Sequence, residues 1–282
     1  MDRSITVRFY DIERHKRSDP RLRDVLQRIA AIRDKEKREA LIGAGIRVRL
    51  ETLIVDGDAV DGEFTRMQTT NFPSEVHATG TRPLPVAGPL GHGVAFRYDE
   101  KKSVMAIQYD KRTLSPGRAF EYISAKWDGA SFRLLPKLRD DMWERFQGGP
   151  TRKISLTIAN PTHYQVVAGA GQAAGQAARA LATAYEAPMV TLELSMGHRK
   201  GGLSETVKRM AESLIKLSAN DDVDLRTLKA YTAQGEGQPN DEIDLIDELL
   251  SVRDELTLPD NNPNRNYQIR RAFLRTVMNK HV

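Results

Sequence analysis

Cysteine is absent from the 282 residues, which excludes a disulfide scaffold, a thiol nucleophile and thiolate metal sites and suits a reducing cytoplasm. No apolar run approaches the roughly 20 residues that cross a bilayer. Met1 leads through Asp2 and Arg3 into a strand-like run instead of the apolar core of a signal peptide. The expectation is a cytoplasmic protein. Histidine is sparse as well: His15, His77, His92, His163, His198 and His281 form no i,i+4 pair and have no carboxylate at metal-ligand spacing, so neither a metal nor another cofactor is expected. Ser195 and Ser204 lie outside any Gly-x-Ser-x-Gly elbow. Gly169, Gly171 and Gly175 miss the dinucleotide fingerprint by one residue, and no Gly-Lys-Ser/Thr follows them to complete a phosphate loop. A restriction-type nuclease needs a Glu-x-Lys strand beside a second carboxylate to hold a metal and its water. Here Asp99 and Lys101 fall in a turn, and Glu193 has no lysine two residues on. No catalytic residue is assigned.

What is present is charge, distributed unevenly. Lysine and arginine number 43 against 38 aspartate and glutamate, a formal charge of +5. Residues 1–49 hold 14 basic and 8 acidic side chains, and residues 259–282 hold five and one. Positive charge therefore gathers at both ends of the sequence. Such clusters are the electrostatic footprint of a nucleic-acid partner, and equally the composition of a solvated, salt-bridged surface.

The hydrophobic periodicity reads as an α+β protein of two mixed or antiparallel sheet modules with helices packed on the sheets. The modules are expected at 1–150 and 151–282, divided at Gln147-Gly-Gly-Pro150. In the first, Ile5, Val7 and Phe9 alternate as a strand. Asp19-Pro20 resembles a helix cap, followed by Leu22, Val25, Leu26, Ile29 and Ile32 at helical spacing in a helix of about five turns ending near Gly43. Strands are expected at Ile46–Val55 and Glu63–Thr70, with Asp56 to Gly62 as a polar turn that lacks the ligand spacing of a calcium loop. Gly91 to Gln108 carries the clearest hairpin: Val94, Phe96 and Tyr98 share one strand face, Val104 and Ala106 the next, and Asp99 to Ser103 turns between them. A helix opening at Ser115-Pro116, a strand at Ser131–Pro136 and a short helix at Leu138–Phe146 complete this half. The second half alternates strand and helix: Lys153–Ala159, Gly171–Tyr185, Met189–Met196, Leu203–Leu217 and Asp222–Ala233. An acidic helix over Glu242–Leu256 and a basic one over Tyr267–Met278 follow.

Three basic segments are the candidate nucleic-acid contacts: Arg14, Lys16, Arg17, Arg21 and Arg28 near the start; His198, Arg199 and Lys200 in a glycine-bearing loop between strand and helix; and Arg270, Arg271 and Arg275 in the terminal helix. The leading reading is a non-enzymatic, largely sequence-independent binder of double-stranded DNA or another nucleic acid. A protein-interaction scaffold comes second and a divergent metal-dependent nuclease third. The Ile5-Thr-Val-Arg-Phe-Tyr10 strand, Gly91-His-Gly-Val-Ala-Phe-Arg-Tyr98 before Val104-Met-Ala-Ile-Gln108, Lys153-Ile-Ser-Leu-Thr-Ile-Ala159 and Ile243-Asp-Leu-Ile-Asp-Glu-Leu249 together carry a resemblance. In that texture the chain resembles an uncharacterised bacterial family whose distant relatives include RexA-like and Kiwa-type phage-defence proteins. The resemblance implies a dimeric, DNA-binding, non-enzymatic antiviral effector acting beside a partner protein of a defence system. It transfers no catalytic or base-reading residue.

Overall fold

The computed structural model describes residues 2–282 apart from 17, 111, 128–130, 164–171, 220–222, 234–239, 247–248 and 260–261. The elements run β1 (Asp2–Arg14), α1 (Leu22–Ala31), β2 (Ala40–Ile42), β3 (Ile46–Asp56), β4 (Ala59–Gln68), β5 (Ser74–His77), β6 (Gly80–Pro83), β7 (Leu90–Asp99), β8 (Val104–Gln108), α2 (Pro116–Lys126), β9 (Phe132–Pro136), α3 (Asp140–Gly148), β10 (Thr151–Ala159), α4 (Gln172–Tyr185), β11 (Met189–Ser195), α5 (Thr206–Ala219), β12 (Asp224–Ala233), β13 (Asn240–Asp244), β14 (Ser251–Thr257) and α6 (Pro263–His281). The fold is mixed, with helices packed on sheets. Two compact units emerge, residues 1–133 with 251–282, and residues 134–250. This division differs from the expected 1–150 and 151–282: the last two elements return to the first unit.

The first unit is built on an antiparallel sheet ordered β14-β1-β8-β7-β4-β3-β2, with β9 also paired to β1. Alternation along the strands sorts the two faces. Leu50, Phe64, Phe96 and Tyr98 point to the face covered by α1 and α2, where Phe64 stacks on Phe96 at 4.6 Å between centroids and meets the edge of Tyr122. The Tyr122 hydroxyl accepts from the Leu50 amide at 2.9 Å and donates to the Arg38 carbonyl at 2.8 Å. Burial pushes its pKa up to about 12. On the opposite face lie Phe9, in ring contact with His281, and the strand residues that meet α6. At Gly62 a Cβ would run into the Phe96 ring. Gly62→Ala should therefore cost about 1–3 kcal/mol by overpacking, measured as a lower urea midpoint at unchanged slope.

The second unit carries the sheet β11-β10-β12-β13, antiparallel throughout. Ile154, Leu156, Ile158, Leu228 and Ala230 bury one face against Ala178 and Ala182 of α4, Ala211 and Leu214 of α5, and Phe146 of α3. The other face is polar: Thr157, Thr191 and Thr227 share hydroxyl hydrogen bonds of 2.9 and 3.0 Å, and Lys153 pairs with Glu193.

Three expectations are corrected. The described residues of Glu242–Leu256 form no helix. Ile243 and Leu245 are both buried, a period of two, because β12 offers a ladder to β13; β1 then offers one to β14. A tertiary partner outweighed the weak 3.6-residue pattern of Ile243, Ile246 and Leu249. The helix after Pro20 lasts ten residues, not five turns, since the chain turns extended at Ile32 and pairs Ala40–Ile42 with β3. Asp19 caps no helix; its carboxylate accepts the Lys16 amide at 2.8 Å within a turn. Lastly, the supposed polar turn from Asp56 to Gly62 is mostly strand, because β4 begins at Ala59. The glycine-rich start of the helix after residue 168 lies outside the described residues up to 171.

Candidate nucleic-acid interface

The basic segments divide by environment. Arg14 ends β1, Arg21 precedes α1, and Lys101 sits in the turn between β7 and β8. The end of β1, the start of α1 and the hairpin turn meet around a shallow hollow of about 550 Å³ that Asp58 and Glu100 also line. Register explains the meeting: β1 and β8 pair as far as Asp11 and Val104, and the Ile12 amide bonds the Ser103 carbonyl at 2.8 Å, so the hairpin turn lies beside the end of β1. Arg21 is 65% exposed and only loosely held, 3.9 Å from Glu100. Lys16 is exposed in the adjoining turn. Arg28 lies two helical turns beyond Arg21, about 10 Å along the same face of α1, with its guanidinium 4.8 Å above the Trp127 ring. Arg17 lies outside the described residues. Sequence reading passed over Lys101 as part of a polar turn. The available signal was a lysine pair, Lys101 and Lys102, in a hairpin whose second strand pairs with the first of the chain.

His198, Arg199 and Lys200 occupy an exposed loop of the second unit. Gly197 and Gly201 have positive φ values of 55° and 92°, which let the loop turn sharply. Arg152 holds it by donating to the Gly201 and Gly197 carbonyls at 2.5 and 3.2 Å.

The terminal helix is different. Arg270 is 9% exposed and pairs with Glu63, donating also to the Gly93 carbonyl at 2.9 Å and to Gln108 Oε1 at 3.2 Å. Arg271 Nε donates to Asp61 Oδ2 at 2.7 Å, and Arg97 approaches Oδ1 of the same carboxylate at 2.7 Å. Asp56 closes the chain of charges, 3.1 Å from both Arg97 and Arg275. Asp61 is fully buried and Glu63 nearly so. Burial pushes the Glu63 carboxyl above its usual range, against the opposing pull of Arg270. For Asp56 the Arg97 hydrogen bond leads and lowers the pKa. Arg270 thus spends its hydrogen-bonding capacity inside the first unit and Arg271 commits its Nε to Asp61, whereas Arg275, 47% exposed, keeps one side open to solvent. Sequence reading missed Asp61 and Glu63 as partners; their one local signal was acidic side chains two apart on a strand with no adjacent cation to match.

Among the described residues no group of three histidine, cysteine, aspartate or glutamate side chains could hold a metal ion, and no helix is long and apolar enough to cross a membrane. The geometry offers cations for an anion.

No curated protein matches the chain. The model described as a family of unknown function, DUF6731, matches residues 6–280. With almost its whole length covered, the chain belongs to the DUF6731 family.

Proposed function

We propose that the protein is a non-enzymatic binder of nucleic-acid backbone, and that its contact surface is the end of the first unit carrying Arg14, Lys16, Arg21 and Lys101, with Arg28 extending the row along α1. The observation that carries this reading is the meeting of Arg14 and Arg21, from one stretch near the start of the chain, with Lys101 of the distant hairpin turn, at one exposed hollow. Local fold stability does not require three cations to share a rim. Arg21, held at 3.9 Å, can leave Glu100 for a phosphate at little cost, because exposed pairs contribute 0–1 kcal/mol. Arginine and lysine that reach phosphate oxygens fix position without reading sequence. The Glu100 and Asp58 carboxylates keep the site from being a deep anion trap and favour a weak, salt-sensitive contact.

Titration of the full chain against duplex DNA, single-stranded DNA and RNA at rising salt tests the reading. Four or five phosphate contacts predict a log–log slope for duplex of about −4. Charge reversal at Lys101 should reduce that slope by about one. Absence of binding to all three polymers near physiological salt would refute the proposal.

A further inference from the structure

The first unit also contains a fork in its sheet. β8 has five residues, while its neighbours β1 and β7 have 13 and ten. Pairing of β8 with β1 stops at Val7–Gln108, and with β7 at Phe96–Ile107. Beyond those points Tyr109 still bonds Thr6, and past it Asp2–Ile5 of β1 and Leu90–Gly93 of β7 keep their outer partners, β14 and β4, with no strand between them among the described residues. A cavity of about 1180 Å³ fills the gap. Arg3, Ser4, Ile5 and Thr6 line one wall and Gly91, His92 and Gly93 the other. Gln108 and Arg270 close its inner end, and the first turn of α6, Asn262 to Asn266, lies along it.

Backbone direction follows from the ladder. In an antiparallel sheet successive residues of a strand direct their amide and carbonyl to alternate sides. The Tyr109 amide bonds the Thr6 carbonyl at 2.7 Å, and the Ile12 amide bonds the Ser103 carbonyl, so the even-numbered residues of β1 face the β8 side. Ser4 therefore directs its N–H and C=O into the gap. The amide of His15 bonds Ser131, which places β9 on the β14 side and leaves the gap unfilled by it. On β7, the Glu100 amide bonds Asp58 of the β4 side at 3.1 Å, so the odd-numbered residues, Gly91 and Gly93 among them, face the gap. The Gly93 carbonyl accepting from Arg270 is consistent with that direction. The two glycines make room for neighbouring side chains: a Cβ at Gly93 would run into the Glu63 carboxylate, and one at Gly91 would sit 3.0 Å from the Thr65 methyl.

We infer that the fork is an acceptor for one extended peptide segment of a partner polypeptide, inserted in line with β8 and hydrogen-bonded to β1 and β7 on its two sides. Main-chain bonds supply the affinity in this mode of recognition. The walls of four residues each accept about four residues of strand, roughly 13 Å. An insert antiparallel to both walls has its N-terminal end beside Tyr109 and its C-terminal end near Arg3. Arg3 at that end, with Arg253 along the wall, where its Nε donates to Ser4 Oγ at 2.6 Å, favours an acidic C-terminal half. This cleft lies at the opposite end of β1 and β7 from Arg14 and Lys101, so it is independent of the nucleic-acid proposal.

Panning a randomised dodecapeptide library on phage against the full chain, followed by anisotropy titration of enriched synthetic peptides, tests the inference. Enriched peptides should lose at least tenfold in affinity when central residues are N-methylated, because each such amide bonds one wall. Ser4→Pro removes an amide that faces the gap and spares the β14 ladder, whose bonds use odd-numbered residues. It should lower affinity at least tenfold, while Ser4→Ala changes it less than twofold. Peptide should also slow amide exchange at Ser4 and Gly91 of the wild-type chain, a readout that does not depend on how Ser4→Pro folds. No enrichment, peptides indifferent to N-methylation, or unchanged exchange at both amides would overturn the inference.

Discussion

Asp61→Asn should be the most damaging single substitution in the first unit, costing about 3–5 kcal/mol of stability. Asp61 is fully buried and holds two guanidiniums at 2.7 Å each, Arg97 on β7 and Arg271 on α6. Asparagine keeps the shape and one acceptor but removes the charge and turns an amide donor toward one of the arginines. Two largely buried cations then share one neutral oxygen. Breaking a buried pair by changing one partner costs about this much because the remaining charge is left uncompensated. Asp56 softens the loss for Arg97, which it approaches at 3.1 Å, yet it is itself one-third exposed. In a unit of this size the change corresponds to a melting temperature lower by roughly 10 °C. A shift under 2 °C would show that the buried network contributes little.

The second large effect is pH-dependent. Arg270→Met removes the cation from Glu63 while keeping an apolar stem of similar length. Glu63 has its pKa raised by burial even with Arg270 present, and without Arg270 it rises further. The sign follows from linkage. A carboxyl whose folded pKa lies above its unfolded one is most stabilising while protonated, and that contribution is lost as pH rises through the folded pKa. Near neutral pH the variant must either bury an unpaired carboxylate or take up a proton, at a cost of about 3–5 kcal/mol. At acid pH Glu63 is protonated in wild type and variant alike, so the deficit should shrink as pH falls through the variant's raised folded pKa, above the ordinary glutamate range. Urea midpoints of wild type and variant from pH 4 to 8 should converge on the acid side. A constant difference would mean that Arg270 acts through packing and its bonds to Gly93 and Gln108 alone.

These charges show where sequence reading succeeds and where it stops. The hairpin β7–β8 was readable because Val94, Phe96 and Tyr98 alternate with neighbours that face the other side, a signal contained within ten residues. The Ser115-Pro116 helix start was readable for the same reason, and the Ser115 hydroxyl accepts the Arg118 amide at 3.3 Å. α6 was readable as a helix but not in its orientation. Its arginines stand at positions a surface stripe would use, and what turns Arg270 inward is Glu63, 207 residues away. β13 and β14 failed on the same ground: their acidic residues suit a solvated helix until β12 and β1 offer unpaired edges. The fork between β1 and β7 is a property of strand lengths and register, quantities that periodicity locates only to within a few residues.

The central claim is that nucleic acid meets the Arg14–Arg21–Lys101 end of the first unit and not the terminal helix. The most direct test is duplex-DNA affinity at one fixed, low salt concentration for wild type, for Arg14→Glu/Arg21→Glu/Lys101→Glu, and for Arg275→Glu, the most exposed of the three α6 arginines named above. The triple reversal should abolish measurable binding with the chain still folded, while Arg275→Glu leaves affinity within about threefold of wild type. The opposite pattern, a triple variant that binds normally and an Arg275→Glu variant that does not, would contradict the assignment.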